Sequence, residues 1–270
     1  MRQSGLPHRR RFPSNNDKNT EVIVKTRIMN LTASLAVLCA LLLCLPLQAE
    51  ESQMTEIDNS IPWEAVIVGD SDSDLSTWRR KIPGAEVKQF RGEIVLPHPA
   101  VAILKTLDTP KEMDDWVYFC RKGEHINGNL TYMEYKGIWP VASRYVALKS
   151  SVWVRDGAIF IQSRNVDSAG PDDRSMVRIP EFSNLFEITP IDSHTTRVKF
   201  TTFVDLGGRL PSWIANGISS NAPKVTLTGL RDKLKEKEEY ANATLEELTI
   251  TDNRAAVQAL LDEVSARSQG

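Results

Sequence analysis

The sequence predicts an α+β fold, in which a curved antiparallel sheet carries helices on one side. Between residues 130 and 204, apolar and polar residues alternate with a period of two, which is typical of half-buried strands. An Asp-Gly pair at 156–157 separates two such runs and predicts a tight hairpin. Beyond two glycines at 207–208 and Pro211, apolar residues recur at helical spacing as far as Leu234. This last pattern predicts one long amphipathic helix near the end of the domain.

The first 49 residues predict a secretory signal peptide rather than a part of the fold. A short apolar run from Leu35 to Leu45 follows basic residues, and Leu47-Gln48-Ala49 has the form of a cleavage site. Met29 is an alternative start, because residues 1–28 would be an unusually long polar leader. We therefore expect export, to the periplasm or the outside of a bacterial cell.

An uncleaved anchor is the alternative to cleavage. The segment from Leu31 to Leu47 is just long enough to serve as a membrane anchor. In either case, residues 50–60 form a polar lead-in to the domain, which we place at residues 61–238. Residues 239–270 form a charged, weakly helical tail that packs either on the domain or on a partner.

Charge and cysteine content exclude some classes of function. Residues 1–49 carry seven of the 33 basic and two of the 35 acidic residues, so the remaining chain has a net charge of −7. No basic stripe suggests a nucleic-acid partner. Cys120 is the one cysteine beyond the leader, so the exported chain has no intramolecular disulfide. We expect it to be a buried, inert thiol.

The elements of the first half follow in order. Ile61 to Val68, which includes Trp63, predicts a helix docked on the domain. Two alternating runs predict strands, and Pro83-Gly84 marks the turn between them. Two helices are then expected, one long and one short. These predicted strands are 76–81 and 86–96, and the helices are 98–107 and 113–117.

The second half alternates almost throughout. We expect strands at 130–135, 144–155, 158–166, 176–180, 184–189 and 195–204, followed by the helix from Leu210 to Leu234. Its wide apolar face must cover something. From the residues alone, the apolar face covers either a filled core or a hollow one, and most apolar stripes belong to a filled core.

The sequence does not match known motifs of catalysis or metal binding. The acidic run from Asp70 to Asp74 lacks the glycine and the glutamate that a calcium loop needs at later positions. No nucleophile elbow, phosphate loop or dinucleotide motif occurs. Glu124 and His125 lie near Cys120 in sequence, but that proximity alone is weak support for a catalytic pair. We expect no enzyme activity, no cofactor and no metal site.

Three segments resemble motifs of START domains, the StAR-related lipid-transfer family. Residues 138–144 (IWPVASR) resemble the family's W-P-V-x-x-R motif, which opens a central strand. Residues 177–178 (VR) and 186–190 (FEITP) resemble its V-R … W-x-I-x-P segment. Residues 204–216 (VDLGGRLPSWIAN) resemble D-P-G-G-x-I-P-x-W-L-x-N, which leads into the last helix. The resemblance is to bacterial exported members and runs from Ile61 to Leu234.

The resemblance implies a helix-grip fold, in which the sheet wraps the long helix and a tunnel between them holds one hydrophobic molecule. Many members bind sterols, phospholipids or sphingolipids, so we expect a lipid ligand, transport between membranes and transient membrane contact. Tyr145, Leu206 and Phe186 depart from the family motifs and leave the identity of the ligand open.

The expected ligand-binding residues lie on the inner faces of the strands and on the last helix. They are Arg144, Val146, Leu148, Phe160, Arg178, Ile188, Val198, Phe200, Trp213, Ile214 and Ile218. The two arginines either contact a head group, form salt bridges at strand ends or lie on an outward face. Two other functions stay open: a small cyclase-like or hydratase-like enzyme on the same scaffold, and an interaction module without a ligand. A cavity of only a few tens of Å³ would favour the module, because ligand pockets measure about 300–1,000 Å³.

Overall fold

The structure is a computed structural model that describes residues 61–137, 139, 141–170, 175–249 and 252–268. The predicted signal peptide and the polar lead-in lie outside the described residues. The chain from Ser60 to Gly270 forms one compact unit. No helix among the described residues is long and apolar enough to cross a membrane.

In the described part of the chain, ten strands form one sheet, in the order β1-β2-β3-β10-β9-β7-β6-β5-β4, with β8 paired to β6. All neighbours are antiparallel except β8 and β6, which run parallel. The strands are β1 Glu64–Ile67, β2 Ser76–Lys81, β3 Lys88–Leu96, β4 Cys120–Asn127, β5 Leu130–Tyr135, β6 Arg144–Arg155, β7 Ala158–Asn165, β8 Val177–Arg178, β9 Glu181–Pro190 and β10 Thr196–Asp205.

Helices cover one face of this sheet. The α-helices are α1 Ala100–Leu107, α2 Met113–Trp116, α3 Ser212–Ser219, α4 Ala222–Glu236 and α5 Arg254–Ser268. Three 3₁₀ turns, at Pro110–Glu112, Glu238–Asn242 and Leu245–Glu247, connect them. The predicted α+β class is confirmed, as is the helix-grip arrangement of a large sheet against C-terminal helices.

Two local predictions are wrong. Residues 61–68 contain strand β1 instead of a helix. The β-branched residues that follow Ala65 suit an extended chain, and Glu64 pairs with Arg79 on β2. The predicted helix from Leu210 to Leu234 is two helices, which are separated at residues 220–221. Pro223 occupies the first turn of α4, where its missing N–H costs least, so the proline begins a new helix.

The predicted hairpin at 156–157 is present. Asp156 and Gly157 both have positive φ, and the strands on either side pair in register, with Arg155 opposite Ala158. The segment after residue 239 packs on the domain, which was one of its two expected positions. Its buried residues join the main core; they are Leu245, Leu248, Val257, Leu260 and Val264.

Helix α4 lies closer to the sheet than it could if residue 92 carried a side chain. Leu227, Leu230 and Leu234 on its inner face are fully buried. Gly92 on β3 makes this possible, because a Cβ there would lie 2.8 Å from Leu227 Cδ1. On the other side, a Cβ on Gly229 would collide with the carbonyl oxygen of Trp116 in α2. Two glycines therefore fix the distance of α4 from its neighbours.

A charged cluster fixes the end of the same helix. The Lys233 ammonium is buried and lies 3.0 Å from both the Glu112 and the Asp115 carboxylates. Burial alone would raise the pKa of the Glu112 carboxyl. The hydrogen bonds and charges of Lys233 and Lys237 outweigh it and hold that pKa below 4.5.

The close contact at Gly229 predicts that a glycine-to-alanine substitution has opposite effects on stability at two helical positions. Gly229→Ala should lower the free energy of unfolding by about 1–3 kcal/mol, because the new methyl group meets backbone atoms that cannot move aside. Gly217→Ala in α3, where a Cβ would have no neighbouring atom within 4 Å, should raise it by up to about 1 kcal/mol. Urea denaturation measures both. Equal effects at the two sites would contradict the account.

The charged cluster predicts a specific loss of stability in acid. Lys233→Met should lower the free energy of unfolding at pH 7 by about 1–3 kcal/mol, since Asp115 loses its cation and, among the described residues, Glu112 keeps Lys237 as its only cation. In the wild type the contribution is present above pH 4.5 and is lost as the pH falls through the depressed pKa of Glu112. The variant should show a weaker acid dependence, because only Lys237 then lowers the pKa of Glu112.

Lys235→Met is the matched control for that comparison. Lys235 is exposed and pairs only with Asp232 among the described residues, so its change should stay within about 0.5 kcal/mol. Denaturation between pH 3 and 7 separates the two variants. Parallel stability curves for Lys233→Met and the wild type would show that the cluster contributes nothing.

Candidate functional site

The space between the concave sheet face and helices α2 and α4 is not completely filled. It contains two neighbouring cavities, cavity 1 of about 100 Å³ and cavity 2 of about 90 Å³. Alternation along each strand decides which side chains face this space. The inner face carries even-numbered residues on β6, β9 and β10, and odd-numbered residues on β5 and β7.

Cavity 1 lies under α2 and the start of the C-terminal segment. Its walls are mostly apolar; they include Leu107, Met113, Trp116, Leu148, Val152 and Ile161. A polar rim, formed by Asp108, His125, Asn129, Thr249 and Asp252, completes the cavity.

Cavity 2 lies under α3 and the start of α4. Its apolar walls include Val141, Ile179, Phe182, Val204, Leu206 and Ile218. Arg144 and Lys136 contribute the charged groups of this lining.

One set of side chains separates the two cavities and lines both of them. This shared wall consists of Val117, Tyr135, Asn184, Phe200 and Thr226. The rings of Phe200 and Phe186 stack with their centroids 4.5 Å apart. The Tyr135 hydroxyl donates to the sulfur of Met133 at 3.6 Å, and burial raises the pKa of Tyr135 well above 10. The boundary between the cavities is therefore made of side chains that belong to several different elements.

Two of the predicted apolar strand residues line a cavity, and three more face inward without doing so. Leu148 lines cavity 1, and Phe200 lines both cavities. Val146, Ile188 and Val198 also lie on the inner face, where each is fully buried among other core side chains. At these three positions the filled-core alternative is correct.

Phe160 was expected to face inward, and that prediction is wrong. Its neighbours Ile159 and Ile161 face the core and cavity 1, so Phe160 points to the opposite side of β7. There its ring stacks on Trp153, the residue directly across the hairpin, with centroids 5.4 Å apart. Cross-strand aromatic pairs of this kind stabilise a sheet from its outer face.

The two predicted arginines have different environments. Arg144 is buried at cavity 2, where its guanidinium donates to the carbonyl oxygens of Leu206 and Ala142. Burial lowers the pKa of the Arg144 guanidinium below its usual value. Arg178 lies outside both cavities, 4.8 Å from the centroid of the Tyr145 ring, and donates to the Ala169 carbonyl. Of the two, only Arg144 lines a cavity.

The three ligand-binding residues that were predicted on the last helix also lie in different environments. Ile218 lines cavity 2, Ile214 is half-buried outside both cavities, and Trp213 is 74% exposed. The expectation that Trp213 lines the tunnel is wrong, because α3 packs through Ala215 instead. Asn216 fixes the helix by accepting a hydrogen bond from Lys88 N–H at 2.7 Å.

Sequence reasoning missed Asn184 and Tyr135, both in the shared wall. Alternation from Phe186 and Ile188 places Asn184 on the inner face of β9, so the pattern itself contained that information. Thr226 was hidden among the polar residues of α4, although it lies one residue before Leu227 on the helix face that is buried.

A hydrogen-bonded contact closes the rim of cavity 1. The Asp108 carboxylate accepts from the Thr249 backbone N–H at 2.6 Å and from the Thr249 hydroxyl at 2.5 Å. His125 Nε2 lies 3.4 Å from the same hydroxyl. This contact joins the end of α1 to the C-terminal segment, across 141 residues of sequence.

The suggested Cys–Glu–His group finds no support in the geometry. Cys120 is buried, and burial raises the pKa of its thiol to about 12, so the thiolate is scarce at neutral pH. Glu124 forms an ion pair with Lys122 at 2.7 Å. Within the described part of the chain, no three His, Cys, Asp or Glu side chains are grouped to hold a metal ion.

Comparisons with solved structures identify the fold. A STAR-related lipid transfer protein from Xanthomonas axonopodis superposes with a TM-score of 0.58 and 25% identity, over 64% of this chain and 98% of that one. Human STARD10 superposes with a TM-score of 0.58 and 16% identity, over 73% of this chain and 81% of that one. The predicted resemblance to START domains is confirmed, and the chain has the START fold.

Sequence comparison finds a relative without assigning a function. An uncharacterized protein of Pseudomonas aeruginosa is 22% identical over 184 residues, which cover 66% of this chain and 91% of the relative. No family model matches the chain.

The rim contact predicts that one aspartate holds the C-terminal segment in place. Asp108→Ala should lower the free energy of unfolding by about 0.5–1.5 kcal/mol, because two donors of Thr249 exchange their acceptor for water. Amide hydrogen exchange at residues 245–249 and 252–264 should speed up more than exchange elsewhere. Glu246→Ala, an exposed change in the same segment, should have neither effect. Unchanged exchange in Asp108→Ala would mean that packing alone holds the segment.

Proposed function

We propose that this protein binds one hydrophobic molecule, a lipid, between its sheet and α4, and carries it between membranes. One observation carries the proposal: two apolar cavities adjoin on the concave face, and a wall of side chains divides them. The START fold supports it, since neighbours of that fold include a lipid transfer protein.

The size of the cavities defines what binding requires. Each is smaller than the roughly 300–1,000 Å³ of typical ligand pockets, but larger than the few tens of Å³ that would favour a module without a ligand. Rotation of the Phe200 and Tyr135 side chains would join them into one longer site. Burial of an alkyl chain there gains about 0.8 kcal/mol for each CH₂ group.

Uptake also needs an opening, and α3 is the element best placed to provide it. Gly207 and Gly208 both have positive φ and precede the helix, while Pro223 follows the break that ends it. Residues that absorb a change in backbone angle at such positions act as hinges. Movement of α3 would uncover the Ile218 side of cavity 2.

Export and membrane contact complete the proposal. The predicted signal peptide supports a periplasmic or secreted protein. Trp139 and Trp213 are 93% and 74% exposed. They lie in segments that also contribute Val141 and Ile218 to cavity 2. Tryptophan prefers the interface between water and lipid, so these two rings support a transient contact with a membrane beside the opening.

The carrier proposal predicts a bound lipid in the purified protein. Native mass spectrometry, with extraction and analysis of the lipid, should show one molecule for each protein chain, either co-purified or taken up on mixing. A panel of sterols, phospholipids and fatty acids should include at least one ligand. If no member binds, the protein is not a lipid carrier.

Blocking cavity 1 should abolish this binding. Ile161→Trp places an indole in the cavity, so ligand uptake should fall at least tenfold, an effect of about 1.4 kcal/mol or more. Phe160→Trp, the neighbouring residue on the outer face, should bind like the wild type, and thermal unfolding checks that both variants are folded. Normal uptake by folded Ile161→Trp would place the ligand elsewhere.

A further inference from the structure

A row of neutral polar side chains crosses the otherwise apolar concave face. Its members are cross-strand neighbours on four strands: Ser150 pairs with Ser163, Ser163 with Asn184, and Asn184 with Thr202. We call these four residues the polar row. Ser150, Ser163 and Asn184 line cavity 1, while Asn184 and Thr202 line cavity 2.

Asn184 is the member of the row with an unmet hydrogen bond. The hydroxyls of Ser150 and Ser163 lie 2.8 Å apart and bond to each other. Asn184 Oδ1 is shielded from solvent and has no hydrogen-bond partner among the described residues. A buried carbonyl oxygen without a donor is energetically costly, so the site favours a molecule that brings one.

The position of Asn184 restricts where that donor lies in the molecule. Asn184 belongs to the shared wall, with apolar lining on both sides: Leu148 and Ile161 in cavity 1, and Phe182 and Val204 in cavity 2. A ligand that fills both cavities must pass this residue in its middle. A polar group at one end would instead lie away from Asn184 and leave its carbonyl oxygen unpaired.

The polar row carries no charge, and this restricts which polar groups a ligand can place beside it. Serine, threonine and asparagine can bond to a hydroxyl as donors or acceptors, but none of them neutralises a buried ion. The neighbouring wall residue Thr226 is also neutral, and its hydroxyl accepts from the Tyr118 N–H at 3.4 Å. A charged group at this level would lack a counter-charge.

We propose that Asn184 determines specificity and selects a neutral ligand with a hydroxyl group part-way along an apolar body. This inference rests on the proposed function, because it describes a ligand of the same two cavities. It adds a chemical class that the fold does not define, and it assigns the selection to one side chain.

Two isomeric alcohols and one alkane test the selection. The probes are 6-undecanol, 1-undecanol and undecane, which all have eleven carbon atoms. Binding is measured by how far the protein lowers the equilibrium vapour concentration of each probe above the solution. The two alcohols have nearly the same free energy of hydration, so a difference in binding reflects the position of the hydroxyl group. Wild-type protein should bind 6-undecanol about tenfold more tightly than 1-undecanol. Asn184→Leu removes the acceptor and should bring this preference to within twofold.

The control and the outcomes separate this inference from the proposed function. Thr189→Val lies on the outer face of the same strand and should keep the wild-type preference. If no probe binds the wild type, the proposed hydrophobic site is wrong. If all three bind but the wild type does not prefer 6-undecanol, or Asn184→Leu keeps the preference, only the role of Asn184 is wrong. The wild-type comparison of isomers does not depend on the variant being folded.

Discussion

The close contact of α4 with its surroundings is the constraint on which the rest of the structure depends. Gly92 on the sheet and Gly229 on the helix remove the methyl groups that would otherwise hold the surfaces apart. Three leucines of α4 can then be fully buried against β3 and α1. Lys233 fixes the far end through its two carboxylate partners. The helix is therefore held closely along this side, and the two cavities lie between the helices and the sheet.

That space has the properties of a divided ligand site. Apolar walls surround it, side chains separate its halves, and the buried guanidinium of Arg144 is paired with backbone carbonyls. The polar row adds directional chemistry at the boundary between the halves. An apolar site with a few placed hydrogen-bonding groups is the usual composition of a small-molecule pocket. This divided apolar space is the feature on which the proposed binding of a hydrophobic molecule rests.

Much of the fold could be predicted from the sequence, but much of the site could not. Alternation located the long strands, and Asp-Gly located the hairpin. Strand β7 shows the limit, because Ala158, Ile159, Phe160 and Ile161 are all buried and apolar, so alternation carries no information about which residues face inward. Only the pairing of Ile161 with Phe186 on β9 resolves it. Arg144 has its partner 62 residues away, at Leu206, and no local pattern reveals such a contact.

The central claim is that the two cavities are halves of one binding site. A crystal structure of the protein with a bromine-labelled fatty alcohol tests it most directly, since anomalous scattering locates the bromine and the density traces the chain. We predict continuous ligand density between the sheet and α4, passing Phe200 and Asn184, with both cavities occupied. Ligand bound only on the outside of the protein, with the cavities unchanged, would contradict the claim.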